Sequence, residues 1–143
     1  MKKQIGILLF LIILSLNLAY AAQEETSPDD DLKIELVNYD PSPIQAGDTF
    51  QAHFKLTNIG TEIIKNIKFE FSGKYPLFPK EEEPIVIESI LPGDVATFDY
   101  GFYTRKEASG SGQILFQYTK SNFDQIASGS FEVTIATLQK DIE

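Results

Sequence analysis

Through most of the chain apolar and polar side chains alternate one by one, the period of a half-buried strand rather than of a helix. Leu32, Ile34 and Leu36 alternate with Lys33 and Glu35. The clearest run sets Phe50, Ala52, Phe54 and Leu56 against Gln51, His53, Lys55 and Thr57. Ile67, Phe69 and Phe71 alternate with Lys68, Glu70 and Ser72, which predicts a third strand running back beside the second. Ile85-Val86-Ile87 with Ile90 forms a short fourth strand. Ala96, Phe98, Tyr100 and Phe102 point inward in the fifth, Ile114, Phe116 and Tyr118 in the sixth, and Phe131, Val133 and Ile135 in the seventh.

Turn-forming residues punctuate these runs. Asp40-Pro41-Ser42-Pro43 and Ala46-Gly47-Asp48 separate the first two strands. Asn58-Ile59-Gly60-Thr61 ends the second, with Gly60 expected in a left-handed conformation and Asn58 bonding nearby backbone amides. Pro92-Gly93 suits the two central positions of a type II turn. A longer connection spans Gly73 to Pro84, and loops are expected over Lys106 to Gly112 and over residues 121–129. All the prolines fall outside the predicted strands, as the missing ladder donor requires. No stretch beyond the N-terminal segment has an apolar period near 3.6. The expectation is an all-β, immunoglobulin-like sandwich of about seven antiparallel strands. Its inward aromatics form a phenylalanine-rich core.

The N-terminus follows different rules. Lys2 and Lys3 precede an almost unbroken aliphatic run from Ile5 to Leu16, and Ala19-Tyr20-Ala21 supplies a small-x-small cleavage pattern. Charged start, apolar core and processing site make a secretory signal over residues 1–21. The alternative is an uncleaved anchor, since Ile5 to Ala22 sits at the short edge of the ~17–25 residues that a helical span needs. Membrane association is expected only in that case. Residues 22–31 read as an acidic linker, 32–138 as the sandwich domain and 139–143 as a tail. The tail has neither an apolar stretch nor a polybasic run. An envelope role after cleavage therefore requires docking onto another protein.

Composition narrows the function. A net charge of −9 with a single arginine, Arg105, repels phosphate backbones, so nucleic acid is not an expected partner. Cysteine is absent, which removes disulfides, thiol catalysis and thiolate metal sites. No phosphate loop, zincin or nucleophile-elbow sequence occurs. His53 is the only histidine, and it lies on the polar face of its strand. The acidic loops lack the ordered spacing of a calcium loop. The chain is thus expected to be no enzyme, with no cofactor and no metal.

Asp40-Pro41-Ser42-Pro43-Ile44-Gln45-Ala46-Gly47-Asp48-Thr49-Phe50, followed by Leu56-Thr57-Asn58-Ile59-Gly60-Thr61, resembles the opening of S-layer-like and CARDB (cell-adhesion-related) domains. Tyr75-Pro76-Leu77-Phe78, Ile90-Leu91-Pro92-Gly93-Asp94, Ala108-Ser109-Gly110 and Phe116-Gln117-Tyr118 continue the likeness in order. The resemblance covers nearly all of Leu32 to Ile135. It implies a non-catalytic cell-surface or envelope domain, secreted or retained in the envelope. Such domains often occur in several copies within a longer protein, whereas one copy is present here.

The expected partner is an envelope or surface protein, with polysaccharide the second candidate. Tyr75, Leu77 and Phe78 are the candidate contact residues. They sit with an acidic run, Glu81 to Glu83, in a connection longer than a hairpin needs. The competing reading is a loop that crosses between the sheets and tucks Phe78 over the core edge.

Overall fold

A computed structural model describes residues 23–26, 31–121 and 123–136 of the chain. The expected leader at 1–21 and the expected tail at 139–143 lie outside the described residues. Ten strands follow in order: β1 (Gln23–Thr26), β2 (Leu32–Asp40), β3 (Ile44–Gln45), β4 (Thr49–Asn58), β5 (Ile64–Ser72), β6 (Leu77–Pro79), β7 (Ile85–Ile90), β8 (Val95–Thr104), β9 (Gly110–Lys120) and β10 (Phe123–Ala136). They form two five-stranded sheets, β1-β2-β4-β8-β6 and β3-β10-β9-β5-β7. All pairings are antiparallel except β3 with β10. This is an immunoglobulin-like β-sandwich.

The alternating residues determine which face of each strand is buried. Phe50, Ala52, Phe54 and Leu56 are each at most 1% exposed, while Gln51, His53, Lys55 and Thr57 between them are not buried. Aromatic rings fill the interior. Within each sheet, Phe54 stacks on Phe98 with centroids 5.2 Å apart and Phe69 on Phe116 at 5.0 Å. Between the sheets, Phe71 packs against Tyr100 at 4.5 Å and edge-on to Phe102 at 5.2 Å. Such pairs contribute ~0.5–1.5 kcal/mol each beyond the area they bury, which helps a domain without disulfides.

Several local expectations are corrected. The third predicted strand, now β5, does not run beside the second. β4 lies between β2 and β8, and β5 crosses to the opposite sheet, where β9 and β7 flank it. A period of two fixes the face a side chain takes but not the neighbouring strand. Gly110 to Gly112, expected as loop, opens β9 against Val133 to Ile135. Residues 123–129 belong to β10, whose ladder to β9 shifts between Phe123 and Ala127. Gln23–Thr26, within the expected linker, pairs with Lys33 to Leu36 of β2.

Gly60 is not left-handed. A β-carbon there would instead lie 2.8 Å from Asp31 Oδ1, so a larger residue would have to push the Asp31 side chain aside. Pro92-Gly93 does occupy a type II turn, since Gly93 has φ +80° and the Asp94 amide donates to Leu91 O at 2.9 Å.

Candidate functional site

The Gly73 to Pro84 connection is built around a tight turn. The Lys74 and Leu77 backbones exchange two hydrogen bonds, of 2.9 and 2.8 Å, which leaves Tyr75 and Pro76 at the tip. The turn then feeds β6, whose three residues pair with Thr104, Tyr103 and Phe102 at the end of β8. Pairing with β8 sorts successive side chains to opposite faces. Leu77 points inward and is 1% exposed. It fills the space above Gly112, where a β-carbon would come within 2.7 Å of it. Phe78 points outward and is half-buried.

The three candidate contact residues therefore do not share one surface. Leu77 is part of the core and is closed to a partner in the folded domain. Tyr75 is 62% exposed at the turn tip. Phe78 covers Gly73 and stacks on Tyr103, with centroids 5.5 Å apart. The Arg105 guanidinium lies over this pair, 5.1 Å from the Phe78 ring and 6.0 Å from the Tyr103 ring. A guanidinium over ring faces is held by their negative quadrupole.

Arg105 and Tyr103 were not singled out from the sequence, because their neighbour Phe78 lies 25 or more positions away. The available signal was that the chain's sole arginine follows an outward aromatic at a strand end. The backbone beneath is firmly held. The Arg105 amide donates to Pro76 O at 3.0 Å, and its carbonyl accepts from Gly47 and Ala108. Buried Thr104 donates its hydroxyl to Gln45 O and Asp48 O, at 3.1 and 3.2 Å. Among the described residues no carboxylate pairs with Arg105.

On the other side of the turn, Lys74, Tyr75, Ser111, Gly112, Gln113 and Glu132 line a shallow cavity of about 270 Å³. Lys74 Nζ donates to Gln113 Oε1 at 2.9 Å across it. Beyond β6 the acidic run wraps the end of Tyr100, whose hydroxyl donates to Glu81 O at 2.6 Å and to Glu83 O at 3.3 Å. Burial raises the Tyr100 pKa, and the carboxylates of Glu81, Glu82 and Glu83 raise it further. His53 sits on the outer face of β4, with Nδ1 paired to Asp99 Oδ1. Among the described residues no group of three or more His, Asp or Glu is placed to hold a metal ion.

No protein-family profile matches the sequence, and no curated protein matches it. Solved structures share its fold. A mutant alpha-2-macroglobulin from Salmonella aligns over 75% of this chain and 7% of its own, with a TM-score of 0.58 and 18% identity. Trypsin-activated alpha-2-macroglobulin from Escherichia coli aligns over the same shares, at a TM-score of 0.57 and 16% identity. The GAE domain of GGA2p from Saccharomyces cerevisiae aligns over 79% of this chain and 97% of its own, at 0.50 and 12%. The class is thus that of immunoglobulin-like sandwich modules. The chain matches only a small part of the long alpha-2-macroglobulins.

Proposed function

We propose that this protein is a non-catalytic, exported immunoglobulin-like module of the S-layer-like and CARDB type. It acts in envelope or surface structure or in adhesion, through contacts with another protein. The carrying observation is the turn that holds Tyr75 out in solvent while Arg105, Phe78 and Tyr103 form a cation-capped aromatic platform on the adjoining face. Tyrosine and arginine on a rigid backbone are the residue types that dominate binding energy at protein interfaces. The leader pattern of residues 1–21 supports export. That the same fold forms one small part of the alpha-2-macroglobulins supports reading it as a module.

The test places a photoreactive phenylalanine analogue at Tyr75 in producing cells, with the same probe at exposed Ser128 as the control. The expected result is an adduct with an envelope protein specific to position 75 and weakened by Arg105→Ser. Equal labelling from both positions would end the proposal for this surface.

Carbohydrate binding is the second reading. It rests on the cavity beside Tyr75, where one exposed aromatic adjoins amide, hydroxyl and ammonium groups. Chemical-shift changes at Tyr75, Gln113 and Lys74 on adding envelope polysaccharide fragments would favour it over the protein partner.

A further inference from the structure

The two flanks of the sandwich are closed to different degrees. Where β1 and β2 face β3 and β10, the inward residues Leu32, Ile34, Leu36, Ile44, Val133 and Ile135 are at most 3% exposed. On the opposite flank, Ala96 and Phe98 of β8, Ile85 and Ile87 of β7 and Phe71 of β5 pack on the core yet remain only partly buried.

Topology explains the difference. β7 and β8 are joined by the Leu91–Asp94 turn but belong to different sheets, so they diverge from it. β6 covers the free edge of β8 only from Thr104 to Phe102, and the Lys80 amide adds one bond to Gly101 O. Below that point, among the described residues, neither the edge of β8 away from β4, from Val95 to Asp99, nor the outer edge of β7 has a strand partner. Gly101 turns its carbonyl to the open edge. Asp99, Thr97 and Val95, at successive two-residue steps, turn their amides and carbonyls the same way. β7 carries no lysine and no proline, the usual guards of an exposed edge.

We infer that this open flank is a slot for an extended segment of a partner protein. The segment adds to the β8 edge antiparallel, where β6 leaves off. Alternate apolar side chains enter between Phe98 and Ile87, and basic residues at its N-terminal end meet Glu81, Glu82 and Glu83. Main-chain bonds would give affinity and the alternating side chains specificity. Charge selects the occupant. Three consecutive exposed carboxylates close the upper end of the slot, and Glu88 is the only charge on β7. A second copy of this chain would bring its own acidic rim against this one, so a basic-apolar strand from a different protein fits better. The slot spans the five residues Val95 to Asp99, roughly 17 Å of strand. This inference rests on the chain being a contact module but uses neither Tyr75 nor Arg105.

The probe is a capped heptapeptide of sequence Lys-Lys-Val-Thr-Val-Thr-Val, titrated into isotope-labelled full-length protein and followed by NMR. Shift changes should concentrate at 85–90 and 95–101, with new exchange protection at the Thr97 amide. A peptide beginning Glu-Glu should bind at least about tenfold more weakly, because like charges disfavour that end of the slot. The triple variant Glu81→Lys/Glu82→Lys/Glu83→Lys should reverse the preference while leaving thermal unfolding in place. Thr97→Pro, which removes an outward amide and no β4 bond, should abolish binding. The Tyr75→Ser/Arg105→Ser variant should bind the peptide normally, which separates this slot from the aromatic platform. Absence of shift changes at millimolar peptide, changes centred on the β1–β2 flank, or equal affinity for the two peptides would each overturn the inference.

Discussion

Asn58→Ala should be among the most damaging polar substitutions in this domain. Asn58 is 0% exposed, at the end of β4. Its Nδ2 donates to Glu62 O at 2.7 Å and to Ile90 O at 2.9 Å, and its Oδ1 accepts from the Gly60 amide at 3.0 Å. One side chain thus ties the β4–β5 connection to the end of β7. Alanine leaves a buried carbonyl at Ile90 without a donor, which costs ~1–3 kcal/mol, while the two partly buried groups lose ~0.5–1.5 kcal/mol each before water replaces part of it. These add to about 2–6 kcal/mol, and water at the two partly buried groups brings the expected loss to about 2–4 kcal/mol, a fall in Tm of roughly 10–20 °C for a domain near 100 residues.

Asn58→Asp is the sharper probe. It keeps the acceptor for Gly60 but aims a carboxylate at two carbonyl oxygens, so at neutral pH it should be worse than alanine. Burial and that repulsion raise the new carboxyl's folded-state pKa above its unfolded value. The folded protein then binds the proton more tightly, and the penalty fades as pH falls through the folded-state pKa toward the unfolded one. Urea unfolding of both variants across the acidic range measures this. An Asn58→Ala loss within about 0.5 kcal/mol, the scale of an ordinary surface substitution, would refute the reasoning.

Two further outcomes follow from the same packing. Phe54→Asp should prevent folding, because Phe54 is 1% exposed among Phe71, Phe98 and Phe131, whereas His53→Ala should stay within about 0.5 kcal/mol of wild type; equal thermal stability of the two variants would contradict the β4 register. Glu70 should titrate below an ordinary glutamate because the Lys68 ammonium and then the Gln117 amide hydrogen-bond its carboxylate. Its contribution is present above the unfolded pKa and lost as pH falls through the folded one, and Lys68→Ala should return its NMR titration toward the ordinary value.

The facing of the strands was legible in the sequence, and their placement in the sheets was not. Alternation at 50–57 and 96–102 named the buried side of β4 and β8 because each lines one face of a half-buried sheet. Nothing in that alternation says that Phe54 pairs with Phe98, 44 positions on, rather than with β5. β3 and β6, of two and three residues, are too short to show a period at all. Hence the Tyr75–Phe78 segment was recognisable as unusual, yet which of Leu77 and Phe78 turns inward depends on its pairing with β8. The Arg105 platform and the open flank share that origin. Both are made by strands distant in sequence, and in the second case by the absence of a strand that no local pattern could announce.

The pairing of β4 with β8 also governs when this protein can fold. β4 pairs with β8 from Thr49–Tyr103 to Thr57–Val95, and β3 waits for Ile135 of β10. Loop closures of this span place folding on the order of milliseconds to seconds, far slower than for a helical domain of the same size. Until Thr104 has been synthesised, β4 has only β2 to pair with and its other edge stays open. A chain slow to close on itself keeps its phenylalanine faces and unpaired edges in water for longer, which is the interval in which aggregation competes with folding.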